Sequence, residues 1–166
     1  MKNIALQVLN SNRWLAIGLI VLCTVMFSGC KDKEPQTLIG TVENPSWTAT
    51  SDYDMTASMT AIVKVDLSLS FPKQIKDAER AVSEEDVLAA FVGETCVGQT
   101  SPVGGLFYLY IAGPLSAGEN TVVTLRYYSS VLKNTFVATE TIPFRNDERL
   151  GTVSQPYIPE WLLSNP

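Results

Sequence analysis

From Ser58 to Phe71 the chain alternates almost without error. Met59, Ala61, Val63, Val65, Leu67, Leu69 and Phe71 fall on one face. Ser58, Thr60, Lys64, Asp66, Ser68 and Ser70 fall on the other, with Ile62 the one exception. A period of two over that length predicts a strand with a single buried face, ended by Pro72. Lys73 to Asp86 is charged and loses the period. Ser83-Glu84-Glu85-Asp86 can open a helix, with Ser83 capping and the acids favoured by the helix dipole. The short apolar run Val87–Val92 and Gly93 that follow favour instead an inserted loop, with at most one helical turn, leading into a strand.

Gly93-Glu94-Thr95 separates Phe91-Val92 from Cys96-Val97 and reads as a tight hairpin. Leu106–Ile111 is apolar and aromatic between Gly104-Gly105 and Gly113-Pro114, Thr121–Ser129 is β-branched and aromatic, and Thr135–Ile142 alternates again. Lys133-Asn134 and Asn146-Asp147 are turn signals, the second followed by a short strand near Leu150–Val153. Strands at this spacing, each bounded by turn residues, predict an all-β, antiparallel, immunoglobulin-like sandwich of about seven strands. The sequence contains no internal repeat.

The first thirty residues have a different pattern. Lys2 and Arg13 precede an uncharged, mostly apolar run from Trp14 to Phe27, too short for a spanning helix, which needs ~20 apolar residues. The run ends in Phe27-Ser28-Gly29-Cys30. Residues 1–29 read as a signal peptide, 30–46 as a flexible tether containing Pro35, Gly40 and Pro45, 47–161 as the sandwich and 162–166 as a tail. The chain of 166 residues has 12 Lys+Arg against 17 Asp+Glu, net −5. Loss of residues 1–29 removes two cations and no acid, leaving −7. A phosphate-tracking surface needs a basic excess, so nucleic acid is an unexpected partner. Anionic lipid repels such a body.

Two resemblances carry these readings further. The ending Ser28-Gly29-Cys30 resembles the lipobox of bacterial lipoproteins, in which the cysteine thiol receives diacylglycerol. Lys31-Asp32-Lys33-Glu34 resembles the export signal of Bacteroidota surface lipoproteins. Trp47, Tyr53-Asp54-Met55, Ser58-Met59-Thr60-Ala61 and the stretch from Asp86 through Ala90-Phe91-Val92-Gly93 to Cys96-Val97-Gly98 resemble an immunoglobulin-like module of Bacteroidota surface and secreted proteins, with Val97 where that pattern carries Arg. The resemblance covers about residues 47–161. It implies a lipid-anchored outer-membrane protein, at the periplasmic face or the cell surface, and says little about ligand.

Histidine is absent, which removes histidine-based nucleophilic catalysis and histidine zinc sites. Of the three cysteines, Cys23 lies in the leader and Cys30 is the lipidation site, leaving Cys96 as a buried, unactivated thiol. The acids at Glu84-Glu85-Asp86, Asp147-Glu148 and Asp52-x-Asp54 fit solvated loops, and none has the spacing of a known calcium loop. A catalytic role, a metal and a cofactor are therefore not expected. The candidate contact surface is aromatic. Phe107, Leu109 and Ile111 should turn inward, which leaves Tyr108 and Tyr110 outward and ~7 Å apart. On the next strand Arg126 and Tyr128 oppose Val123, Leu125 and Tyr127. If the two strands pair, Tyr108, Tyr110, Arg126 and Tyr128 form one outer face, suited to an envelope protein partner or a glycan. Otherwise these residues stabilise a half-wet sheet by cross-strand contact. Trp47 and Trp161 are expected to pack rather than bind.

Overall fold

The computed structural model describes residues 38–75, 82–114 and 120–164. The leader, Cys30, the Lys31–Glu34 run and part of the 73–86 segment lie outside the described residues. The described residues form nine strands: β1 (Tyr53–Val63), β2 (Val87–Val92), β3 (Thr95–Thr100), β4 (Phe107–Pro114), β5 (Val122–Ser129), β6 (Asn134–Ala138), β7 (Ile142–Pro143), β8 (Arg149–Leu150) and β9 (Trp161–Leu163), with one helical turn, α1 (Leu67–Ser70). The two strands beyond the seven expected are β7 and β9, two and three residues long, while β8 stands where a short strand was expected near Leu150–Val153.

A small sheet runs β4-β1-β8 and a larger one β3-β2-β5-β6-β9, with β7 pairing the start of β5. All pairings are antiparallel except that of β1 with β8. The β1–β4 pair corresponds to the B–E pair of an immunoglobulin fold, and β3-β2-β5-β6 to its C′-C-F-G sheet. The chain is thus an all-β sandwich.

The core lies between the sheets. Met59, Ala61 and Val63 from β1 and Phe107, Leu109 and Ile111 from β4 meet Leu88, Ala90, Val123, Leu125 and Phe136 from the large sheet. The rings of Phe107 and Phe136 sit 5.9 and 6.1 Å from Tyr127, and Trp161 lies 5.7 Å from it. Trp161 is therefore a core residue, as expected, and its strand β9 extends the sheet through residues assigned from sequence to a tail.

The alternation after Ser58 overran the strand. β1 stops at Val63, and Asp66 caps α1 by accepting the Ser68 backbone N–H at 3.1 Å. Val65 and Leu67 remain buried, but the helical turn rotates Leu69 out to 60% exposure. A local side-chain acceptor offering the backbone an alternative to the ladder ended the strand, not Pro72.

The β2–β3 hairpin forms with a two-residue loop, Gly93-Glu94, in which Gly93 has φ 59°. A primed turn needs that positive φ at its first central position. A bulge then leaves Val97 unpaired, so Cys96 turns to the outer face and Val97 into the core. Gly98 lies against β4, where a Cβ would come 2.1 Å from the Tyr110 carbonyl oxygen. This closes one side of the sandwich by backbone contact.

Asp86, read from sequence as part of a solvated acidic loop, is fully buried. Its Oδ2 accepts the Tyr127 hydroxyl at 2.5 Å and the Ser83 N–H at 2.9 Å, and its Oδ1 accepts the Ser130 N–H and hydroxyl, both at 2.8 Å. Four donors compensate its lost hydration. Ser83–Asp86 closes as a turn rather than opening a helix, the Asp86 N–H donating to the Ser83 carbonyl.

Replacing Asp86 by Ala should lower the unfolding free energy by about 3 kcal/mol or more, read from urea denaturation, because it strands several buried donors. Burial first, and then the charge and hydrogen bond of Asp86, push the Tyr127 phenol well above its ordinary value. The unfolded chain then ionises Tyr127 from pH about 10 upward while the folded chain does not, so the unfolded state binds fewer protons and stability falls with rising pH there. Stability-versus-pH curves of Tyr127→Phe should show a shallower alkaline decline than the parent.

Candidate functional site

On β4 the alternation places side chains as expected. Phe107, Leu109 and Ile111 are fully buried, whereas Tyr108 and Tyr110 are 44% and 52% exposed on the outer face of the small sheet. Register sets their neighbours. Tyr110 lies opposite Thr60 on β1, and Thr60 lies opposite Arg149 on β8. Tyr108 lies opposite Ile62. Ile62, the one break in the polar face of this segment, is the half-buried apolar floor beside the tyrosines. Tyr108, Tyr110, Thr60, Ile62 and Arg149 line an open hollow of about 400 Å³.

Arg149 reaches this face through β8. The Asn146 side chain holds the incoming chain against β1, accepting the Ser58 N–H at 2.8 Å and donating to the Thr56 carbonyl at 3.3 Å. The Asp147 N–H donates to the Ser58 carbonyl, and the Thr60 N–H to the Glu148 carbonyl. Arg149 is exposed and has no ion-pair or hydrogen-bond partner for its guanidinium among the described residues. No local pattern marks it in the sequence, since β8 is two residues long and its place comes from a parallel pairing across nearly ninety positions.

Arg126 and Tyr128 do not join this face, which corrects the expectation of a single surface of four residues. Strand β5 pairs with β2, β6 and β7, not with β4. Alternation correctly turned both residues outward from the core, but on the other sheet. There the Arg126 guanidinium lies 4.2 Å over the Phe91 ring, and its Nη2 donates to both Glu94 carboxylate oxygens at 3.0 Å. Tyr128 is only 5% exposed and donates its hydroxyl to the Val42 carbonyl. Its phenol is pushed up by burial and then by the nearby charges of Asp86, Glu85 and Glu43.

The cover over Tyr128 is the chain before β1. Leu38 is buried, the Gly40 N–H donates to the Leu132 carbonyl and the Val42 N–H to that of Lys133. Trp47 meets Phe91 edge-on at 5.6 Å, and the Thr50 N–H donates to the Cys96 carbonyl. Leu38 itself packs into the core, and from Gly40 onward the chain is a strap on the outer face of the large sheet, running through residues 38–46 that the sequence assigned to a tether. This cover also explains why Val87–Val92 is apolar throughout: Leu88 and Ala90 face the core, and Ala89 and Phe91 face the strap.

The remaining polar candidates are separated from one another. Glu84 and Glu85 are exposed, and Glu148 lies 3.9 Å from Arg145. The Asp54 carboxyl is held below its usual range by the Thr56 hydroxyl and then the Thr56 N–H. Among the described residues there is no group of three or more acids and cysteines placed to hold a metal, and no helix long and apolar enough to cross a membrane. No protein-family model, curated protein or solved structure matches the chain.

Cys96 is 8% exposed beside Phe91, and burial pushes its thiol up, with the Gly98 carbonyl contact and Arg126 opposing weakly. Native protein should react with a disulfide reagent at Cys96 far more slowly than unfolded protein, in a colorimetric thiol assay in which Cys23 and Cys30 are both replaced by Ala.

Proposed function

We propose that the protein is a lipid-anchored, non-catalytic binding lipoprotein of the cell envelope, tethered through Cys30 to the outer membrane. It takes its partner, an envelope protein or a glycan, on the outer face of the small sheet. The observation that carries the binding half is the outward pair Tyr108 and Tyr110 beside a hollow of about 400 Å³. A sandwich needs one apolar face per sheet, so two exposed aromatic rings on the wet face are surplus to folding. Tyrosine supplies a flat apolar area with a polar tip at low entropic cost, the property that enriches it at contact surfaces.

The anchoring half rests on the sequence from Lys2 to Cys30. Two or more acyl chains, at ~0.8 kcal/mol per buried methylene, hold a protein stably without a spanning helix. The surface-export resemblance of Lys31–Glu34 favours the outward side of the membrane.

Both halves can be tested separately. Cys30→Ala should move the protein from the membrane fraction to the soluble one. Unchanged fractionation would refute the anchor. Tyr108→Ala with Tyr110→Ala should leave the circular dichroism spectrum intact and cost ~1–3 kcal/mol in binding to the envelope component that the parent retains. Equal retention by that double variant would refute the contact surface.

A further inference from the structure

We infer that the hollow on the small sheet binds an acidic saccharide, with Arg149 receiving the carboxylate and Tyr108 and Tyr110 lying against the sugar ring. The inference deepens the proposed function and rests on its reading of that face as the contact surface.

The first ground is the state of the arginines. In a chain with 17 acids against 12 bases, an arginine normally finds a carboxylate. Arg126 has Glu94 and Arg145 has Glu148. Among the described residues Arg149 has no such partner, although it stands in the row Tyr110–Thr60–Arg149. A guanidinium presents a planar fork of donors that matches a carboxylate in two parallel hydrogen bonds.

The second ground is the shape and lining of the site. Neighbouring strands lie about 4.8 Å apart, so Tyr110 and Arg149 are separated by roughly 10 Å, and Tyr108 lies ~7 Å along the strand from Tyr110. That span suits a mono- or disaccharide. The hollow is at the small end of ligand sites, which run ~300–1,000 Å³. Its chemistry is mixed: aromatic faces for C–H surfaces, phenol and Thr60 hydroxyls for sugar hydroxyls, and one cation. Lys64, exposed two residues beyond Ile62, adds positive charge on the same side of the chain. The protein's overall negative charge opposes an anion only weakly, since charges beyond about 8 Å are screened at physiological ionic strength.

The third ground is what the face does not offer a protein. A peptide adding as a strand needs an open sheet edge. The free side of β1 is taken by β8 and by Tyr157, whose N–H donates to the Ile62 carbonyl and whose carbonyl accepts the Lys64 N–H. The outer side of β4 is approached by Gly98. The apolar groups on the face are two tyrosines and Ile62, too few for the dry centre of a protein interface.

The test is titration calorimetry of the full chain in detergent against a panel of uronic-acid oligosaccharides, their carboxyl-methylated counterparts and poly-glutamate. The parent should bind a member of the acidic panel and bind its methyl ester at least about tenfold more weakly. Arg149→Gln should lose that preference, and Tyr108→Ala with Tyr110→Ala should lose binding of both forms, while Arg126→Ala on the opposite sheet should bind as the parent does. Absence of binding to any member of the panel, equal binding of the methyl ester, unchanged binding by Arg149→Gln, or equally tight binding of poly-glutamate would each overturn the inference. Retention of an envelope protein through the tyrosine pair, with no saccharide bound, would leave the proposed function standing and remove only the sugar.

Discussion

A buried carboxylate is the constraint around which the sandwich is arranged. Asp86 has no exposure, so every hydrogen bond it gave to water must be replaced. The replacements come from three parts of the chain: the turn at Ser83, the strand residue Tyr127, and the β5–β6 connection at Ser130. Removing any one donor leaves the charge under-compensated, so the three segments are held in one register. The start of β2, the end of β5 and the turn into β6 are thereby fixed together.

Tyr127 passes that constraint into the core. Its hydroxyl is committed to Asp86, and its ring then stands among Phe107 of the small sheet and Phe136 and Trp161 of the large one. Edge-to-face and tilted ring contacts add to the area they bury. The same residue thus ties a polar loop to the packing that holds the two sheets together. Trp161 contributes its ring to this cluster at the cost of an indole Nε1 that is buried without a hydrogen-bond partner among the described residues.

The two outer faces of the sandwich are used differently. The large sheet is covered by the strap from Leu38, which shields Tyr128 and Phe91 and leaves Arg126 bonded within the protein. Among the described residues, the small sheet has no such cover over β4 and β1. Aromatic groups on the first face complete the fold, and those on the second remain available.

Much of this was legible in the residues, because alternation is a local property. The inward Phe107, Leu109 and Ile111 required Tyr108 and Tyr110 to face out, whichever strand they paired with. Gly93-Glu94 specified its hairpin, and the strand pattern specified a sandwich. Pairing between distant strands is not local, and there the sequence was silent. The sign of each outward residue on β5 was right, but nothing in Thr121–Ser129 says that β5 belongs to the other sheet from β4. The capacity of Asp66 to end β1 competes with an alternation that continues past it. Asp86 looked solvated among acidic neighbours because three of its four donors come from more than forty positions away. Arg149 entered the candidate site through a two-residue strand whose position only the closed sandwich decides. The chain by itself determined which way side chains face; the tertiary structure decided which faces meet, because burial and hydrogen-bond satisfaction are settled between segments rather than within them.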